Sequence, residues 1–204
     1  MKTTLSILVA LIVSFATTAF ANNDNNVSVS QIRTAPAFYG VVLASDINVV
    51  LSPDETSSVR VEAIASDIHF INTKVINGNL VVSVRNNHKL HGPVTVYVSV
   101  NELNLVEVIG NGKVRASEMF STDMLTLKLK GNGSITMDVR ALSVGVNLNG
   151  CGSINLSGSA ANSIIKTVGQ GHVVTRYFSS FNTVEMIDDT AVDCTAMVET
   201  GKTE

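Results

Sequence analysis

Apolar and polar residues alternate along most of this chain with the period of two that a β-strand requires. The cleanest case is Val94, Val96, Val98 and Val100, interleaved with Thr95, Tyr97 and Ser99. The same alternation runs through residues 46–51 and 58–64, with a turn at 52–57 that has Pro, Asp and Ser where a turn wants them. Residues 73–76 and 80–84 flank Asn77-Gly78-Asn79. Asn-Gly readily takes positive φ, so this stretch predicts a tight hairpin. Residues 86–92 read as a polar loop, and a short helical turn is expected only around 160–166.

From Leu103 the chain begins to repeat. Gly110-Asn-Gly112, Gly131-Asn-Gly133, Gly150-Cys-Gly152 and Gly169-Gln-Gly171 start at intervals of 21, 19 and 19 residues, and a degenerate unit, Asp188-Asp-Thr190, falls 19 further on. Internal periods near 20 signal solenoids. Two residues after each motif stand Val114, Ile135, Ile154, Val173 and Val192, all β-branched. Two further on stand Ala116, Met137, Leu156, Thr175 and Cys194. Before the motifs lie two more columns: Val106, Leu127, Val146, Ile165, Val184, and Val108, Leu129, Leu148, Thr167, Met186. Each unit therefore predicts two short strands around a glycine turn. One unit cannot bury its apolar face alone, and stacking makes the columns a continuous core. At ~4.8 Å per coil, five units give a rod on the order of 24 Å long. Glycine suits the turn because it reaches backbone conformations other residues avoid, and because stacked turns crowd their backbones. A nucleotide-binding glycine loop would lead into a helix or end in Lys-Ser/Thr, and these motifs do neither.

In order and spacing, Phe38-Tyr-Gly-Val-Val, Ile47-Asn-Val-Val, Val59-Arg-Val-Glu-Ala, Gly78-Asn-Leu-Val-Val-Ser-Val, Val94-Thr-Val-Tyr-Val-Ser-Val and the Gly-x-Gly-Ser-Ile units form a recognisable series. The chain resembles the auto-transporter adhesin head, or GIN-domain, family of bacteria over roughly residues 36–195. The resemblance implies an exported β-helical domain, and it brings no catalytic residues with it. The sequence departs from the pattern at Cys151 and at the degraded last unit.

The N-terminus reads as a secretory signal. Lys2 is followed by a mostly apolar, uncharged run to Phe20, then by the small-x-small site Ala19-Phe20-Ala21 and polar Asn22-Asn23-Asp24. Residues 1–21 are thus expected to be cleaved, and 22–35 to form a flexible leader ending in an edge strand. Residues 36–204 then form a single domain, with its coils at about 103–198. No Cys follows the cleavage site, which argues against a lipid anchor, and no later apolar stretch reaches the ~20 residues of a membrane span. Without Lys2, 13 Lys+Arg face 17 Asp+Glu. This mildly acidic balance, with no basic cluster, excludes phosphate-driven nucleic-acid binding. The absence of Trp removes the commonest platform for sugars.

Candidate chemistry is sparse. An even cysteine count in an exported chain suggests a disulfide. However, Cys151 falls in the polar turn column with Asn111, Asn132, Gln170 and Asp189, while Cys194 falls in an inward column. Two coils of separation, roughly 9.6 Å, exceed disulfide reach. The sequence therefore predicts a core Cys194 and a solvent-facing Cys151 thiol able to bond a second chain. His88 and His91 lie three apart in a polar loop with no acidic neighbour in sequence, and His69 and His172 stand alone, so no metal and no cofactor are expected. Asp188 and Asp189 are adjacent and point apart on a strand, which suits charge at an exposed coil edge better than acid–base catalysis. No Gly-x-Ser-x-Gly occurs.

The reading is all-β: a hairpin-rich N-terminal section continuing into a β-solenoid. Its function is that of a non-catalytic exported binding module of adhesin-like kind, periplasmic or at the cell surface, with a protein or glycan partner. The alternatives are a structural envelope protein that assembles with its own copies, and a polysaccharide-processing enzyme.

Overall fold

The computed structural model describes residues 27–188, of which residue 87 is described by its backbone alone. Thirteen strands form one continuous sheet. They are β1 (Ser28–Arg33), β2 (Gly40–Leu43), β3 (Asn48–Pro53), β4 (Ser58–Ile64), β5 (Ile71–Ile76), β6 (Asn79–Val84), β7 (Thr95–Val100), β8 (Leu105–Ile109), β9 (Lys113–Ala116), β10 (Phe120–Gly131), β11 (Ser134–Gly150), β12 (Ser153–Val168) and β13 (His172–Asp188). Short 3-10 turns at Ile68–Phe70 and Arg85–Asn87 are the only helical segments among the described residues.

Two parallel ladders make the solenoid. One runs β6-β2-β8-β10-β11-β12-β13. The other runs β7-β3-β9-β11-β12-β13. Gly131 pairs with Gly150, and Ile135 with Ile154, so the 19-residue spacing is the length of one coil. The strand after one glycine turn continues without a break into the strand before the next, giving 16- and 17-residue strands where the sequence suggests two short ones. Residues 160–166, expected to allow a helical turn, lie inside β12.

Stacking also begins before residue 103. The β2–β3 pair forms a coil beneath β8–β9 although it lacks a Gly-x-Gly. At its corner the Asp46 carboxylate accepts the Asn111 N–H and the Asn111 side-chain amide, both at 2.9 Å. The N-terminal section holds one tight hairpin, β5–β6, whose Asn77 and Gly78 take φ of 51° and 74° as the turn requires. By contrast β3 and β4, joined by the turn at 52–57, do not pair, because β7 lies between them. The leader ends in β1, an edge strand antiparallel to β4.

The two glycines of a turn do different work, as Gly150 and Gly152 illustrate. Gly150 sits at φ 132°, a region that L side chains rarely adopt. A Cβ on Gly152 would lie 2.3 Å from the Gly133 carbonyl oxygen of the preceding coil. That closeness lets the Gly152 and Ser153 N–H groups reach the carbonyls of Gly131 and Gly133 at 3.0 and 3.1 Å.

One apolar cluster runs from Phe38 in the N-terminal section to Ile165 in β12. Its columns are those of the repeat: Val106, Leu127, Val146 and Ile165 are buried, as are Val108, Leu129, Leu148 and Thr167. The next members, Val184 and Met186, are exposed. A β-bulge shifts the register between β12 and β13 after Asn155, so Ile165 faces Glu185 and Thr167 faces Ile187. Because side chains alternate with period two, one extra residue turns the following residues over.

Candidate functional site

The structure gathers one set of chemistry-bearing side chains that the sequence keeps apart. Asp67 lies three residues after β4 and opens the first 3-10 turn, where its carbonyl accepts the Phe70 N–H at 2.9 Å. The second 3-10 turn, Arg85–Asn87, with Asn86 at φ 52°, delivers the loop carrying His88 and His91 onto it. Asp67 is fully buried. Its Oδ2 accepts the N–H groups of His91 and Gly92 at 2.6 and 3.2 Å. Its Oδ1 faces His91 Nδ1 at 2.9 Å and His88 Nε2 at 3.4 Å. Phe70 stacks on the His88 ring, centroids 3.6 Å apart and planes within 7°. Gly92 can approach because it has no Cβ, which would come within 3.0 Å of Ile64 Cγ2.

Burial works to raise the pKa of the Asp67 carboxyl. Hydrogen bonds from the His91 ring and N–H, the Gly92 N–H and the His88 ring outweigh it and hold the pKa at about 2. The carboxylate is therefore ionised across the physiological range. Among the described residues its only ion-pair partners are the two histidines.

The expectation of no acidic neighbour for His88 and His91 is corrected here, since Asp67 reaches them from 21 and 24 residues away. The available signal was the short polar stretch Ser66-Asp67 closing an apolar strand, which resembles any turn until the loop folds onto it. His69 and His172 are exposed and stand outside this cluster.

Cys151 is half-buried at its turn and disulfide-bonded, so it is not the free thiol that the turn column suggested. The chain's other cysteine, Cys194, lies outside the described residues, as do the signal segment and Asp189. Gly110, Gly112, Gly131, Gly133, Gly150, Gly152, Gly169 and Gly171 lie at or between the ends of successive strands.

The second notable surface is the terminal coil. Among the described residues the 17-residue strand β13 pairs with β12 alone. After the bulge, Tyr177 and Phe181 are 77 % and 93 % exposed, alongside exposed Val184 and Met186. A cavity of about 390 Å³ opens at this end between Ile165, Thr167, Val173, Glu185 and Ile187. A core of stacked columns is closed on its flanks by the next coil, and this is where the described coils stop.

Sequence comparison decides the kinship. The family model described as "Putative auto-transporter adhesin, head GIN domain" matches residues 37–184. The chain belongs to this GIN-domain family. No curated protein matches the sequence. Solved structures share the GIN-domain chain's fold at low identity. A putative adhesin from Bacteroides fragilis superposes with TM-score 0.72 at 16% identity, covering 82% of each chain. A putative lipid binding protein from Parabacteroides distasonis gives 0.67 at 11%, covering 80% of this chain and 79% of that one. A putative adhesin from Parabacteroides merdae gives 0.61 at 15%, covering 82% and 80%. At such identities these likenesses speak for the GIN-domain fold alone.

Proposed function

We propose that this chain is an exported, non-catalytic recognition module that engages a protein partner through its terminal coil. The observation that carries this reading is β13, a long strand that among the described residues pairs with β12 alone and carries exposed aromatic and apolar side chains. Exposed strand edges accept an added strand from a partner, whose main chain supplies affinity while neighbouring side chains supply specificity. Exposed large apolar side chains beside such an edge suit a partner's side chains. The adhesin names of the family and of its structural neighbours favour the same reading. No helix among the described residues is long and apolar enough to cross a membrane.

The first test treats intact cells with protease and follows this chain. Cleavage on intact cells is expected. Release only after the envelope is opened would remove the adhesin-like reading and direct the search to periplasmic partners. The second test compares adhesion of cells carrying the native chain with cells carrying Tyr177→Ser plus Phe181→Ser. Both side chains face solvent, so the fold should be retained while adhesion falls. Unchanged adhesion would remove the terminal coil from the reading.

One observation favours a second reading. The same edge could pair with a second copy, making the chain a self-assembling envelope component. Sizing separates the two: a monomer at all working concentrations supports recognition, and a concentration-dependent oligomer abolished by the same double substitution supports assembly.

A further inference from the structure

We propose that Asp67, His88 and His91 form a binding site for a divalent transition-metal ion of the zinc type. Two imidazoles and one carboxylate are a donor set that such borderline cations take, whereas magnesium and calcium prefer all-oxygen shells. The three donor atoms lie within 4.8 Å of one another. Two ligands in a tetrahedral shell with bonds of about 2.0–2.1 Å are about 3.3 Å apart. Asp67 Oδ1 is 3.4 Å from His88 Nε2 and 2.9 Å from His91 Nδ1, so a small outward movement of the His91 ring admits an ion.

The surroundings are those of a prepared ligand. Oδ2 of Asp67 is occupied by the His91 and Gly92 N–H groups, which aims Oδ1 at the two rings. The Phe70 stack fixes the His88 ring plane. Partners of this kind, one shell out from the ion, orient ligands and tune their affinity. The charge also fits. A buried carboxylate with neither Lys nor Arg paired to it among the described residues leaves a local negative charge for a cation to neutralise. The His91 side chain is 62 % exposed, so an ion can enter from solvent and keep water in its fourth position. On binding, His88 would carry its ring proton on Nδ1 and His91 on Nε2, freeing the two facing nitrogens as ligands. The ion would then hold the loop at 85–92 against the end of β4.

The test uses the purified, tag-free chain stripped with a chelator and titrated with zinc(II) by calorimetry, with cobalt(II) as a spectroscopic probe. One ion per chain is expected, with a raised unfolding midpoint and the intense visible bands of tetrahedral cobalt(II). His91→Ala should fold normally, because the side chain is mostly exposed, and should weaken zinc binding by at least about 10-fold. His172→Ala, an exposed histidine elsewhere, should bind zinc as the native chain does. Two results would overturn the proposal: no zinc uptake at micromolar concentration, or His91→Ala and His88→Ala both titrating like the native chain. Either would leave the trio as a hydrogen-bonded staple. Asp67→Asn is not needed to decide, since loss of its buried charge can also unfold the loop.

Discussion

At the scale of single residues, this fold depends on what is missing from its glycines. Gly152→Ala places a Cβ against the Gly133 carbonyl, and the contact is to backbone, which cannot swing away. The coil must shift, at a cost of about 1–3 kcal/mol, read from the denaturant midpoint. Gly145 lies in a strand with open space around it, its nearest neighbour being Thr126 Oγ1 at 3.9 Å, so Gly145→Ala should be tolerated. Cys151 makes a chemical prediction. Since it is disulfide-bonded, Cys151 should escape alkylation in the folded native chain until a reductant is added, as read by peptide mass. Asp67 makes a pH prediction for the chelated protein. Its folded pKa, about 2, is depressed below the ordinary carboxylate value, so it contributes stability above roughly pH 4 that is lost as pH falls toward 2. Asp67→Asn should flatten that part of the stability–pH curve, and an unchanged slope would show that other carboxylates carry it.

At the scale of elements, the question is which way a strand faces. Leu127 and Val184 occupy the same column of the repeat, yet one is fully buried and the other exposed. Leu127→Ala should therefore cost about 2–5 kcal/mol. Val184→Ala should stay within about 0.5 kcal/mol. Equal losses at the two positions would mean that the bulge after Asn155 does not persist in solution. The bulge is also what turns Tyr177 outward, since without it Tyr177 would follow Gly158 in the column of buried Val139 and Phe120, so part of the candidate recognition surface comes from the broken register. Two-residue periodicity makes such features hard to anticipate: a single extra residue inverts everything after it, while the sequence still reads apolar-polar-apolar.

For the whole molecule, the core is continuous from the N-terminal section through the coils, so one unfolding transition is expected rather than separate ones for a cap and a rod. Thermal and denaturant curves followed by different probes should coincide, and separate transitions would count against a shared core. Among the described residues the stack ends at β5 and β1 on one side and at β13 on the other. The Asp67 cluster lies away from that strand, among the 3-10 turns at the N-terminal side. Loss of metal should therefore act on loop stability without abolishing a terminal-coil interaction.

The sequence by itself determined the strand period, the coil length and the buried columns as far as Ile165. These follow from local alternation and from a spacing repeated often enough to be counted. The regular spacing of the Gly-x-Gly motifs marks the turns, whose first glycines take positive φ. The tertiary structure alone decided that β2 and β3 form a coil without a Gly-x-Gly, where Asp46 and Asn111 supply the corner hydrogen bonds. It decided that β7 separates β3 from β4, that the last coil slips by one residue, and that Asp67 meets His88 and His91. Each of these is a contact between segments distant in the chain, whose free energy comes from stacking and burial that no local pattern of side chains encodes.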